Sequence, residues 1–293
     1  MAIEERDLHS GYMTTGHEWN GIKELNTPVP GVVYFFLWLT LAFAVIYWLL
    51  MPAWPLGLTY TKGFLRADQR TAVAATLKDA ALERAAWTDR IEKSGYREIQ
   101  TDAGLMRIVR QTGHALFADN CAACHGAGAK GRTGFPNLTA GAWLWGGDAD
   151  AITETLRVGI NSDHAKSRVS QMPAFGRDGL LKRSEIEDVA AYVLSLSASG
   201  DTAKTPPSAA AAGKNIFAAN CVGCHGDDAK GQHDVGGPDL TDANWLYGGG
   251  EASVFASIYN GRQGHMPTWE KRLTPVQRKI LALYVLDLGV NAK

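Results

Sequence analysis

Cys121–Gly126 reads CAACHG and Cys221–Gly226 reads CVGCHG, and these two stretches hold all four cysteines of a 293-residue chain. In a helix, positions i, i+3 and i+4 share one face. Each stretch therefore gathers two thiols and an imidazole on one small area: Cys121, Cys124 and His125 in the first, Cys221, Cys224 and His225 in the second. C-x-x-C-H is the attachment pattern of a c-type haem, in which each thiol adds to a vinyl group and the histidine becomes the proximal iron ligand. Other uses fit less well. Zinc-binding C-x-x-C pairs normally lie about 15–20 residues apart, a dithiol redox site wants a strand-helix-strand context that is not found here, and structural disulfides do not require a histidine after each pair. Two covalently bound haem c groups are expected.

Outward from these motifs the chain repeats itself. GHALFADNCAACHG from Gly113 answers to GKNIFAANCVGCHG from Gly213, PNLTAGAWLWGGD from Pro136 to PDLTDANWLYGGG from Pro238, and QMPAF from Gln171 to HMPTW from His265. Each copy closes on a helix-like segment, SEIEDVAAYVLSLS from Ser184 and TPVQRKILALYVLDLG from Thr274, the second with Pro275 at a plausible first helical position. Between the copies, small, polar and proline residues offer nothing to bury and read as a linker. The expected division is residues 1–30 as an N-terminal tail, cytoplasmic by the family resemblance given below, 31–51 as a membrane anchor, 52–103 as a helical spacer, 104–198 and 213–293 as two haem domains, and 199–212 as the linker.

A haem iron needs a second axial partner or an open position. The chain has only six methionines, yet Met172 and Met266 occupy matching places in the repeats, each followed by proline, which stiffens the loop. A thioether there stabilises reduced iron and raises the potential relative to a second imidazole. By default each unit supplies both ligands of its own haem. NSDHAKSRVS (Asn161–Ser170) lengthens the loop before Met172, however, so Met172 can also cross to the second haem and Met266 to the first. His164, His233 and His265 are rival ligands, His265 the strongest because it adjoins Met266. With both faces of each iron occupied, the expected role is outer-sphere electron transfer rather than bond-making chemistry. Trp143, Trp145, Trp245, Tyr247 and Trp269 can wall the haems or pack an ordinary core, and Asp227, Asp228 and Asp234 make the second haem's surroundings acidic.

Gly31–Met51 is an uncharged apolar run. As a helix it spans about 30 Å, the thickness of a bilayer's hydrocarbon core. Some thirty residues precede it, with EERD among them, and no small-x-small cleavage pattern follows, so it reads as a retained single-span anchor rather than a signal peptide. Lys62, Arg66 and Arg70 after the span outnumber Lys23 and Arg6 before it, and a bare positive-inside count puts the C-terminus in the cytoplasm. The net charge of −1 points to no nucleic-acid partner. The fold class expected is mainly α: one N-terminal transmembrane helix followed by two tandem cytochrome c-like haem domains.

HEWNGIKELNTPVP from His17, immediately before the span, and YWLLMPAWP from Tyr47 at its exit resemble the dihaem subunit III of cbb3-type cytochrome c oxidases. The resemblance covers essentially the whole chain. It implies a noncatalytic electron-relay subunit of a proton-pumping oxidase, with Cys121, Cys124, Cys221 and Cys224 as thioether anchors and His125, His225, Met172 and Met266 as axial ligands. Its implied partners are a donor cytochrome c, a monohaem cytochrome c subunit and the haem-copper catalytic subunit where oxygen is reduced. It also implies a bacterial inner membrane protein, single-pass, with its haem domains in the periplasm, against the charge count around the span. The rival readings are a freestanding membrane-anchored carrier, the dihaem subunit of a periplasmic dehydrogenase, and a dihaem peroxidase, which needs one open iron.

Overall fold

The computed structural model describes residues 5–197 and 207–291. It falls into two bodies, one ending at Glu83 and the other beginning at Arg84.

In the first body, strands β1 (Thr14–Trp19) and β2 (Ile22–Leu25) form an antiparallel hairpin in which Trp19 faces Ile22. The turn is Asn20-Gly21, both at positive φ (54° and 86°), the dipeptide that best matches the twist of a two-residue hairpin. Helix α1 (Gly31–Leu50) follows, capped by Pro30, and buries none of its residues within the protein. It is long and apolar enough to cross a membrane. Its last carbonyls are met by the returning chain: Phe64 N–H donates to Leu49 O at 2.9 Å and Leu65 N–H to Leu50 O at 3.0 Å. That satisfies two of the acceptors a helix end otherwise leaves free.

The spacer expected to be helical over 52–103 is helical only from α2 (Gln69–Lys93), which runs across the boundary between the bodies. Before it, the prolines and glycines of PAWPLGLTYTKG impose turns and a Pro55–Tyr60 bridge instead.

The second body continues with α3 (Tyr96–Thr101), α4 (Ala103–Asn120), the single turn α5 (Ala122–His125), α6 (Ala149–Val158) and α7 (Arg183–Leu196). The repeat then follows with α8 (Pro207–Asn220), the single turn α9 (Val222–His225), α10 (Glu251–Asn260) and α11 (Pro275–Asn291). Part of the expected linker lies outside the described residues. The rest is the start of α8, because Pro207 suits a first helical turn and the Ala209–Ala212 run has the highest helix propensity available. At α11, Thr274 and Gln277 form a reciprocal capping box: Thr274 N–H donates to Gln277 Oε1 (2.8 Å) and Gln277 N–H to Thr274 Oγ1 (3.3 Å).

Two hydrophobic cores form, and they do not follow the order of the repeats. The first combines Leu105, Val109 and Phe117 of α4 and Ile152 and Leu156 of α6 with Ile280, Leu281, Leu283 and Tyr284 of α11, which belongs to the second repeat. The second combines Phe217 of α8 and Val254 and Ile258 of α10 with Ile186, Val189, Ala190 and Val193 of α7, which belongs to the first. The sequential segments 104–198 and 213–293 thus exchange their closing helices.

Both exchanged crossings use the same device. Gly113 lies so close to Tyr284 that a Cβ would sit 2.6 Å from that residue's own Cβ. Gly213 lies against α7 so closely that a Cβ would sit 2.0 Å from Asp188 O and 2.8 Å from Tyr192 Cβ. Aromatic pairs seal each crossing, Phe117–Tyr284 with ring centroids 5.9 Å apart and Tyr192–Phe217 at 5.4 Å. Such pairs add about 0.5–1.5 kcal/mol beyond their buried area.

Candidate haem centres

Each C-x-x-C-H stretch folds as one tight turn at the end of a long helix. Cys121 is the hinge between α4 and α5: its N–H donates to Phe117 O (2.8 Å), and its carbonyl accepts from Cys124 N–H (3.1 Å) and His125 N–H (2.9 Å). Cys221 does the same between α8 and α9, accepting from Cys224 N–H (3.2 Å) and His225 N–H (3.0 Å). No disulfide joins the four cysteines; Cys121 and Cys221 are half-buried, Cys124 and Cys224 exposed. Burial, helped by the neighbouring thiol, pushes Cys121 and Cys221 each up to about 11, so both are neutral near pH 7. The two pairs lie in separate cores and do not make one four-sulfur zinc site.

The imidazoles are oriented by carbonyls. His125 Nδ1 lies 3.2 Å from Pro136 O, and His225 Nδ1 3.0 Å from Pro238 O. A carbonyl only accepts, so Nδ1 carries the proton and Nε2 is left bare, the tautomer a metal ligand needs. Burial lowers both imidazole pKa values and favours the neutral ring.

The methionines reach the opposite cores. Met266 packs, with Cys121, Leu138 and Trp143, against the first core; Met172 packs, with Cys221, Leu240 and Trp245, against the second. The backbone shows how. After α6 the chain turns at Gly159, and Ile160 pairs with Met266 in both directions, each N–H donating to the other's carbonyl at 2.9 Å. After α10 it turns at Gly261, and Arg262 pairs with Met172 in the same way at 3.1 and 2.9 Å. Both glycines have positive φ (72° and 70°), and a Cβ on either would lie 2.5 Å from the methionine carbonyl opposite. The default arrangement, each repeat bringing its methionine to its own cysteines, is therefore replaced by the crossed one: the lengthened 161–170 loop carries the chain from one core to the other.

Of the rival histidines, His164 is engaged by Glu270 (Nε2 to Oε2, 3.0 Å), while His233 and His265 are exposed. Trp143 and Trp245 border the first and second cores, and Trp269, though in the second repeat, is buried in the first. Asp227, Asp228 and Asp234 are exposed. Sequence reasoning missed Arg168 and Arg262, each four residues before a Met-Pro; their guanidinium groups lie over the rings of Trp145 (5.1 Å) and Tyr247 (4.3 Å). The repeated R-x-x-x-M-P spacing was the available signal.

The residues therefore suit covalent haem at both turns: a pair of cysteines, an imidazole with a bare nitrogen, and a thioether packed against the same apolar core, twice over. Comparison with known proteins agrees. Residues 11–57 match the N-terminal domain of cytochrome oxidase-cbb3, FixP; residues 111–197 match cytochrome c; and residues 208–285 match cytochrome c oxidase, cbb3-type, subunit III. The chain is 47% identical over 285 residues to the cbb3-type cytochrome c oxidase subunit FixP of a Bradyrhizobium species, covering 97% of each. It is 43% identical over 298 residues to subunit CcoP of an Azospirillum species, covering 99% of each. It belongs to the FixP/CcoP family of cbb3-type cytochrome c oxidase subunits. Another CcoP, from Cereibacter sphaeroides, is 40% identical over 277 residues. Membership makes the chain a cytochrome c electron-transfer subunit, mostly helical, with two cytochrome c-type domains, which indicate covalently bound haem c, and an apolar helix suited to membrane anchoring.

Proposed function

We propose that the chain carries two haem c groups and relays electrons from a donor cytochrome c to the monohaem subunit and on to the haem-copper catalytic subunit of its oxidase, without a catalytic site of its own. One observation carries this reading: each C-x-x-C-H turn has its first cysteine and a methionine of the opposite repeat packed against the same apolar core, Cys121 with Met266 and Cys221 with Met172. Bound haem supplies a one-electron iron couple. The chain's own residues do the rest. Cys121 and Cys124, with Cys221 and Cys224, hold the two groups covalently. His125 with Met266, and His225 with Met172, supply both axial positions, which leaves no open site for substrate. Pro136 and Pro238 carbonyls hold the imidazoles in the ligating tautomer, and Trp143 and Trp245 exclude water from the pockets.

In this reading α1 tethers the haem cores to the bacterial inner membrane with the cores on the periplasmic side, where covalent haem attachment takes place, and residues 1–30 on the cytoplasmic side. Lys62, Arg66 and Arg70 oppose that orientation on a simple charge count, which is weak for a long following domain. Affinity purification from detergent-solubilised membranes, with optical spectra and haem content, tests the whole. The relay subunit emerges with a haem-copper subunit and with two covalent haems per chain. A chain that emerges alone contradicts the relay, and one with fewer haems contradicts the cofactor assignment. Reporter fusions at residue 20 and at the C-terminus test the orientation.

A further inference from the structure

Arg168 and Arg262 stand at the two places where the chain passes from one core to the other. Each lies four residues before an exchanged methionine, and each is fastened to the core that its own repeat's cysteines occupy. The Arg168 guanidinium donates to Trp145 O (3.3 Å) and Ala151 O (3.1 Å) and stacks on the Trp145 ring. Arg262 Nε donates to Ser257 Oγ (3.0 Å), and its guanidinium stacks on Tyr247. Trp145 and Tyr247 are equivalent in the repeats, and each reaches the histidine loop of the opposite core. A Cβ on Gly236 would meet the Trp145 ring at 2.4 Å, and one on Gly134, whose N–H donates to Leu246 O (2.8 Å), would lie 3.7 Å from Tyr247.

Neither arginine has a carboxylate partner among the described residues. The acids near Arg168 are committed elsewhere, Glu154 to Arg157 at 2.7 and 2.8 Å and Asp148 to the N-terminus of α6 at 2.7 Å. Arg168 Nε is closed off by protein with no hydrogen-bond partner, so Nη1 and Nη2 hold the donors left to meet an anion. A guanidinium withdrawn from water without an anion is costly, and desolvation already lowers the Arg168 pKa. Among the described residues no carboxylate lies within hydrogen-bond reach of either guanidinium, whereas each haem c brings two propionate carboxylates.

We infer that Arg168 and Arg262 are propionate-binding, potential-setting residues, Arg168 for the haem at Cys121/Cys124 and Arg262 for the haem at Cys221/Cys224. This rests on the two-haem reading above. A fixed cation beside a haem favours the reduced iron, so its loss lowers the potential. The planar fork suits a carboxylate in a way that lysine does not reproduce.

The test uses the full chain in detergent, haem-loaded, with Arg168→Gln and Arg262→Gln. Haem content and the methionine–iron charge-transfer band report separately on the cofactor reading. With both intact, each variant is expected to lower a different one of the two midpoint potentials. The reduced-to-oxidised ratio at fixed potential should fall about tenfold, about 59 mV for one electron. Redox-difference infrared spectra with 13C-labelled propionates are expected to show shifted carboxylate bands. Unmoved potentials or unmoved bands in fully loaded variants would overturn the inference. If a glutamine variant loses haem, Arg168→Lys and Arg262→Lys decide it: shifted bands support it, unchanged bands refute it.

Discussion

Around Cys121 the crossing of α4 and α11 is backed by α3 and by the end of α2, whose Ile99 and Ile91 are fully buried there, while around Cys221 the crossing of α7 and α8 has α10 as its main packing neighbour among the described residues. The first core is also braced from outside. Arg110 holds Asp287 with two hydrogen bonds at 2.8 Å, and Lys279 Nζ donates to Ile91 O (2.8 Å) and Glu92 O (3.2 Å), receiving the free carbonyls at the end of α2. The plan at the two C-x-x-C-H turns is the same and the support is unequal. Because each core borrows its closing helix from the other repeat, neither repeat can be removed without taking an element from both cores. Exchange couples two sites that a tandem arrangement would leave independent.

The largest expected effect breaks that coupling outright. Ending the chain after Leu273 removes α11 and with it Tyr284, Ile280 and Leu281 from the first core. Haem should then be lost at Cys121/Cys124, far upstream, while Cys221/Cys224 keeps its closing helix α7; mass spectrometry of the haem peptides reads this directly. Tandem domains predict the reverse.

Next comes the pair of crossing glycines. Gly213→Ala drives a methyl into the backbone carbonyl of Asp188, which has little room to give, whereas Gly113→Ala meets the side chain of Tyr284. Overpacking typically costs about 1–3 kcal/mol, and thermal unfolding should place Gly213→Ala as the more damaging of the two. Smaller but more specific is a double-mutant cycle: Phe117 and Tyr284 should couple by about 0.5–1.5 kcal/mol, and Phe117 and Tyr192 by about zero.

The smallest effect concerns pH. Glu270, just after Met266, joins Arg157 (2.9 Å) and His164 (3.0 Å) of the first repeat, and the hydrogen bond from Arg157, then that from His164, holds its carboxyl below the usual range. A depressed carboxylate contributes stability that is present above its unfolded pKa, about 4.3, and is lost as pH falls through the folded value. Glu270→Gln should therefore lower stability slightly near neutral pH and make no difference once pH is below the folded value, which flattens the acid limb of the stability profile.

Much of this was legible in the residues. The cysteine pairs, the matched Met-Pro dipeptides, the apolar run and the helical spacing of Ile186, Val189, Ala190 and Val193 are local patterns, and local patterns report local structure. The hairpin was legible too, since Asn20-Gly21 lies inside the stretch that carried the family resemblance, but its tail was read only as a tail. What the residues could not decide was partnership. Tyr192 and Tyr284 occupy equivalent places in YVL segments, and either can close on Gly113 or Gly213; the long 161–170 loop permits both outcomes. That choice depends on the joint packing of two cores, a non-local property that spacing does not encode.

The exchange is tested most directly at the iron. In the full chain with Cys221→Ser and Cys224→Ser, haem is held only at Cys121/Cys124, and proton NMR of the reduced protein shows whether a methionine methyl lies over the ring. Met266→Ala should abolish that signal and Met172→Ala should leave it in place. Loss of the signal with Met172→Ala, and its survival with Met266→Ala, would contradict the account.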